Sequence, residues 1–239
     1  MIKADIKQSF LKELKSNADS KKAVILQRYF KTGRGEYGEG DIFVGLTVPI
    51  LRSIAKKHQD INLSDLQFFI GSEFHEYRLA ALLVLVARYE FAIKTANEAD
   101  AKKVVKFYIK NLKYINNWDL VDLSAPKILG HYYFQKDKAN LYKLSDSKNL
   151  WYRRIAILST FYFIKNGQFA DSLKMAQKYL QDPHDLIHKA TGWMLREIGK
   201  KNSQIEIIFL RKNHKQMPRI MFSYAIERLN SKQRVEILK

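Results

Sequence analysis

The segment HKATGWMLREIGKK carries Lys189, Trp193, Arg196 and Lys200 at spacings of i, i+4, i+7 and i+11, which lays all four along one stripe of an α-helix. Leu186, Ala190, Met194 and Ile198 form the apolar stripe opposite. An indole flanked by three cations suits an anionic ligand bearing a flat or cationic group. The plainer alternative is that Lys and Arg stems cover the edge of an ordinary packed tryptophan.

A second constellation lies in NNWDLVDLSAP. Asn117 is a fitting N-cap for a helix beginning at Trp118, and Trp118 and Asp122 are then side by side at i and i+4. Asp119 and Asp122 both fall near the positive end of the helix macrodipole, which favours their ionised forms. Asp119 reads as helix-start decoration, whereas Asp122 shares a face with an aromatic ring. Pro126 comes too late for the first turn of that helix, so it predicts a kink or a second start capped by Ser124. In WYRRIAIL, Ile155, Leu158 and Tyr162 form an apolar stripe that Trp151 extends. Arg153 and Arg154 point away from most of it, either as a solvated face or as bidentate contacts to phosphate.

The charge balance favours an anionic partner. Lys and Arg number 42 against 24 Asp and Glu, a formal net charge of +18 in 239 residues. Cations that neutralise a polyanion release its condensed counterions, so such a surplus suits nucleic acid, although it also serves solubility. The chain has no cysteine, which excludes disulfides, thiolate metal sites and a cysteine nucleophile. Its six histidines form no HExxH-like pair, and neither a metal nor a cofactor is indicated. The start MIKADIKQSF has no apolar signal core, and no stretch approaches the roughly 18 apolar residues of a membrane span. A cytoplasmic setting is the expectation.

Four prolines and ten glycines, four of the latter between Gly33 and Gly40, leave most of the chain free of helix breakers. Segments such as EYRLAALLVLVARYEFAI, WYRRIAILSTFYFIK and HKATGWMLREIGKK recur about every 35 to 40 residues, each with Arg or Lys near its start. The pattern predicts an all-α fold: a curved solenoid of HEAT-like helical repeats, residues 1–239 forming one domain, with units starting near Val48, Glu76, Trp118, Trp151, His188 and Arg219. An irregular helical bundle is the other arrangement such a pattern allows. The insert GRGEYGEGD, residues 33–41, has neither a P-loop ending nor a dinucleotide fingerprint. It is either a surface loop or a short hairpin with Tyr37 near its tip, a finger carrying Arg34 and Tyr37 toward a ligand.

VGLTVPILRSIAK after the glycine insert, then NNWDLVD, WYRRIAIL and HKATGWMLRE, in that order over nearly the whole chain, resemble the AlkD-type DNA alkylation repair proteins. These are HEAT-like repeat DNA glycosylases. The resemblance implies that Asp122 is the catalytic carboxylate and that Trp118 and Trp193 are the aromatic walls of the site. It implies DNA-backbone contacts from Arg154 and Arg196, and it makes Tyr29, in LQRYF, the tyrosine of an early helix, unless Tyr29 is a core residue. Arg153, Lys189, Lys200 and Arg34 are further candidate DNA-binding cations by their own positions in the sequence. The implied reaction is excision of N3- or N7-alkylated purines from duplex DNA without base flipping, by a monomer acting at the nucleoid. The alternative is a non-catalytic binder of branched or distorted DNA that uses the basic face and the glycine-rich insert. A protein-interaction scaffold is a third option for a helical solenoid.

Overall fold

The computed structural model describes residues 4–238, and among these all regular structure is helical apart from one isolated bridge between Ile42 and Phe74. Helices begin at Val48, His75, Trp118, Leu150, Asp185 and Arg219, at or within a few residues of the repeat starts read from the sequence. No described helix is long and apolar enough to cross a membrane. The helices gather into two compact units, Met1–Ser124 and Ala125–Lys239.

The first unit is built on the helix His75–Lys94. Every residue from His75 to Val86 is buried, so this helix has no solvated face over its first three turns. It packs against the helices Val48–Lys57, Leu63–Ile70 and Glu98–Lys110. Each of Leu79, Leu82, Val84 and Leu85 is at most 2% exposed, and burial of this kind stabilises the unit by about 2 kcal/mol per side chain. The helices Ala4–Ser16 and Ser20–Tyr29 precede this core, and the short helix Trp118–Asp122 follows it.

In the second unit the same place is taken by the helix Leu150–Lys165, buried from Arg154 through Thr160. It lies between the segment Pro126–Gly130 and the helix Asp185–Lys201, which in turn packs on Arg219–Ala225. Two glycines set the closeness of these contacts. A Cβ on Gly130 would stand 2.5 Å from the Ser159 carbonyl oxygen, and one on Gly192 would stand 2.4 Å from that of Met221. Backbones can approach this far only where no side chain intervenes.

Five starts show why the helices begin where they do. Asn62, Asn97, Asn117, Asn149 and Asn202 each accept a backbone N–H of the first turn, which fixes five of the starts. Arg78 and Arg153, each on the first turn or two of a central helix, fold back on the preceding turn in the same way. Arg78 donates to the carbonyls of Ser72 and Glu73 at 2.9 and 3.1 Å, and Arg153 to those of Ser147 and Lys148 at 3.0 and 2.8 Å. The shared Tyr-Arg of HEYR and LWYR is thus a repeated structural device.

Two local alternatives are decided. Ser124 does not cap a second helix: its hydroxyl donates to the Leu120 carbonyl and meets the Tyr108 hydroxyl at 2.8 Å, both in the preceding structure. The chain instead runs on with Ala125 already helical into a π-turn, Pro126–Gly130, whose wider winding accommodates the proline. The 33–41 insert is a loop and not a hairpin; it is a succession of turns with no strand pairing of its own. Glu36 and Glu39 accept from the backbone N–H groups of Gly33 and Gly35, each at 2.8 Å, so the carboxylates hold the turns closed. Gly38 lies against the carbonyls of Phe30 and Lys31, and Arg34 is exposed on an outer turn.

Candidate functional site

In the first unit, Asn117 starts the helix Trp118–Asp122 by accepting the Trp118 N–H at 2.8 Å. Trp118 and Asp122 are both half-buried, one helical turn apart on one face. One face of the indole is backed by Phe30, nearly parallel at 8° with ring centroids 4.9 Å apart. Tyr29, 64% exposed and therefore not a core residue, meets the indole edge-on at 6.0 Å. The structure thus brings Tyr29 against Trp118, with Asp122 one helical turn further along the same face.

Behind this cluster is a buried polar network with no counterpart in the sequence reading. Asp119 is not decoration. One of its oxygens bonds Nε2 of His75 at 2.9 Å and the other accepts the Leu120 N–H at 2.8 Å. His75 Nδ1 bonds Asp41 at 2.9 Å, and Asp41 also accepts from Asn117 at 3.0 Å and from the Arg78 guanidinium. Burial alone would lower the imidazole's pKa, but the carboxylates of Asp119 and Asp41 outweigh it and push it up to about 9. Burial likewise works against the Asp41 carboxylate, yet His75, Arg78 and Asn117 together hold it below the usual range. Glu76, next in the chain, accepts the N–H groups of Val44, Gly45 and Leu46 and so ties down the segment that leaves the insert.

In the second unit, the stripe read around Trp193 is present but is not purely cationic. Trp193 is half-buried beside Phe161, and its Nε1 donates to Glu197 at 3.1 Å. Glu197 also accepts from Lys200 at 2.6 Å, Lys189 is paired with Asp185 at 2.8 Å, and Arg196 is in contact with Glu227. Arg153 is committed to the fold through Asp182, which its Nε reaches at 2.7 Å, besides the two carbonyls described above. Arg154 is buried, with Nη1 donating to the Leu186 carbonyl at 2.7 Å. Among the described residues no group of three His, Asp or Glu side chains is arranged to hold a metal ion.

Residues 10–229 match the family model described as DNA alkylation repair enzyme. The chain belongs to that family. Membership gives it a role in the repair of alkylated DNA and makes DNA its partner. The fold is similar to that of a solved structure described as a predicted DNA alkylation repair enzyme from Enterococcus faecalis, with a TM-score of 0.67 at 15% identity, over 90% of this chain and 98% of that one. No curated protein sequence matches the chain. The all-α, HEAT-like repeat architecture read from the sequence is therefore that of the repair family.

The cap Asn117 was legible in the sequence, but the buried groups that hold it, Asp41 and His75, were not. Asp41, His75, Asn117 and Asp119 act as a unit only because the insert and two helix starts meet. The available signal was the order His-Glu-Tyr-Arg at the start of an otherwise apolar helix, since four polar or ionisable residues ahead of a buried run require partners. Glu197, four residues after Trp193, was legible by the same spacing rule that placed the cations.

Proposed function

We propose that the chain excises cationic alkylated purines, of the N3-methyladenine and N7-methylguanine type, from duplex DNA. The observation that carries this reading is the pairing of Trp118 and Asp122, one turn apart on a helix, with the Trp118 indole stacked on Phe30. A purine alkylated at N3 or N7 is already a good leaving group, so no strong general acid is needed. What is required is stabilisation of an oxocarbenium-like sugar and delivery of water, and one fixed carboxylate can do both. Asp122 takes that role. The indole of Trp118 attracts the cationic base and sugar, by about 0.5 to 2 kcal/mol, while Tyr29 extends the wall beside it. The lesion would be read without being extruded. Backbone contacts fall to the cations, with Arg196, Lys189, Lys200 and Arg34 nearer the surface than Arg154. Because the insert folds back on its own helix, a reading as a junction probe would rest on the basic surplus alone.

Incubating N-methylated duplex with the wild type and with Asp122→Asn, and scoring free bases and abasic sites, tests the proposal. The expected loss in the variant is about 100-fold or more in single-turnover rate with duplex affinity retained. Absence of release by the wild type, or equal release by Asp122→Asn, overturns it.

A further inference from the structure

We infer that His75 is a positioning residue: clasped as an imidazolium between Asp41 and Asp119, it fixes the Trp118–Asp122 helix and the aromatic wall behind it. The inference rests on the reading of Trp118 and Asp122 as the working face. Both ring nitrogens of His75 face a carboxylate oxygen at 2.9 Å, and a carboxylate accepts but does not donate. A neutral imidazole has one N–H and would leave one of these contacts as two facing acceptors. Only the doubly protonated ring satisfies both. The same ring is stacked on Phe43 at 4.4 Å and tilted against Phe30 at 5.0 Å, aromatic faces that favour a cation.

The network reaches the indole by three routes. Asp119 is the residue after Trp118 and holds the first turn through its own contact with the Leu120 N–H. Asp41 holds Asn117, the cap that takes the Trp118 N–H. Phe30 lies against His75 on one side and Trp118 on the other. The charged groups in contact with this centre are Asp41, Asp119 and, through Asp41, Arg78, while the neighbouring Glu76 is spent on backbone N–H groups of residues 44–46. Two cations thus face two carboxylates. Losing the His75 proton leaves an excess negative charge in a site nearly closed to water, and the Asp119 side of the clasp is the one without an arginine to compensate.

The experiment uses the full chain, with ¹⁵N-labelled histidine to follow His75 and with Trp118 emission taken as the difference from Trp118→Phe. The expected result is a His75 ring protonated on both nitrogens at pH 7.5. As the pH rises through about 9, its deprotonation and a change in Trp118 emission share one midpoint. Asp119→Asn keeps the imidazole and should lower that midpoint by about 1 to 2 pH units. His75→Gln should abolish the transition and slow single-turnover base release by about 10- to 100-fold, with duplex Kd changed far less. If His75→Gln fails to fold, Asp119→Asn alone carries the test. A ring that is singly protonated at pH 7.5, or Trp118 emission indifferent to the His75 titration, overturns the inference. If the two titrate together but the wild type releases no base, the positioning stands and the excision reading fails. Base release without that coupling has the opposite meaning.

Discussion

Glu206→Gln is expected to stabilise the second unit at neutral and alkaline pH and to destabilise it slightly, by up to about 1 kcal/mol, near pH 4.5. Glu206, on the helix Ser203–Asn213, is 1% exposed, and its Oε1 has no hydrogen-bond partner. The carboxyl group packs directly onto Gly199, where an added Cβ would come within 1.8 Å of Oε2. Burial pushes its pKa up to about 8, against a partial pull downward from the Arg196 charge. The folded state therefore binds a proton that the unfolded chain, at its ordinary value of 4.5, releases. Stability must fall as pH rises from 4.5 toward 8 and then level off.

At 1.36 kcal/mol per pH unit, the cost at pH 7 is about 3 kcal/mol. Glutamine removes the titration, but its amide brings donors into a buried place and returns about 1 kcal/mol of the gain. A net advantage of about 2 kcal/mol at pH 7 follows, and it turns into a deficit of up to about 1 kcal/mol near pH 4.5. Urea unfolding at pH 5, 7 and 9, followed by tryptophan fluorescence in a Trp118→Phe background, reads the second unit through Trp151 and Trp193. Wild type and variant with the same dependence on pH would refute the reasoning, because a buried, unbonded carboxylate cannot be insensitive to its own charge.

Three further outcomes follow from particular contacts. Arg153→Ala should destabilise by about 3 to 5 kcal/mol, because it strands the nearly buried Asp182 carboxylate, and Arg153→Lys should not restore the lost bidentate contact; thermal unfolding of both variants decides it. Gly192→Ala should cost about 1 to 3 kcal/mol, since its Cβ would meet the Met221 carbonyl at 2.4 Å, and a variant as stable as wild type in urea would show that the helices can part. Glu227→Gln should release Arg196 for phosphate, tightening duplex binding and steepening the dependence of log K on log salt by about 0.9. An unchanged salt slope in filter binding would show that Arg196 does not reach the backbone.

The contrast between what was legible in this sequence and what was not follows from the range of each interaction. Helix starts were legible because their first determinants are local: Asn117 and Trp118 are adjacent, and the cap bond between them is visible in the sequence order alone. The placement of Lys189, Trp193, Arg196 and Lys200 on one stripe was legible for the same reason, since helical spacing alone decides it. The net charge of that stripe was not. Glu227 lies 31 residues beyond Arg196 and reaches it only because Arg219–Ala225 packs beside Asp185–Lys201. The network at His75 is the extreme case. Asp41, His75 and Asp119 are separated by 34 and 44 residues, and each looks ordinary in its own segment: a loop acid, a helix-start histidine and a first-turn aspartate.

Function ties these two scales together. Residues that meet a ligand must stand at a surface, where local pattern is informative, while residues that hold them still must be buried, where partners come from distant parts of the chain. Trp118 is visible as an aromatic beside an acid, but the geometry that would make the pair useful is set by His75, two helices earlier in the chain. The glycine-rich insert changes meaning on the same grounds. Read alone, GRGEYGEGD suggests a finger reaching outward; in the structure its last residue, Asp41, is buried and takes hydrogen bonds from His75, Arg78 and Asn117. Its consequence for the site is therefore inward: a change at Asp41 should disturb Trp118 more than any change at the exposed Arg34, although Arg34 is the residue a reading of charge alone would choose.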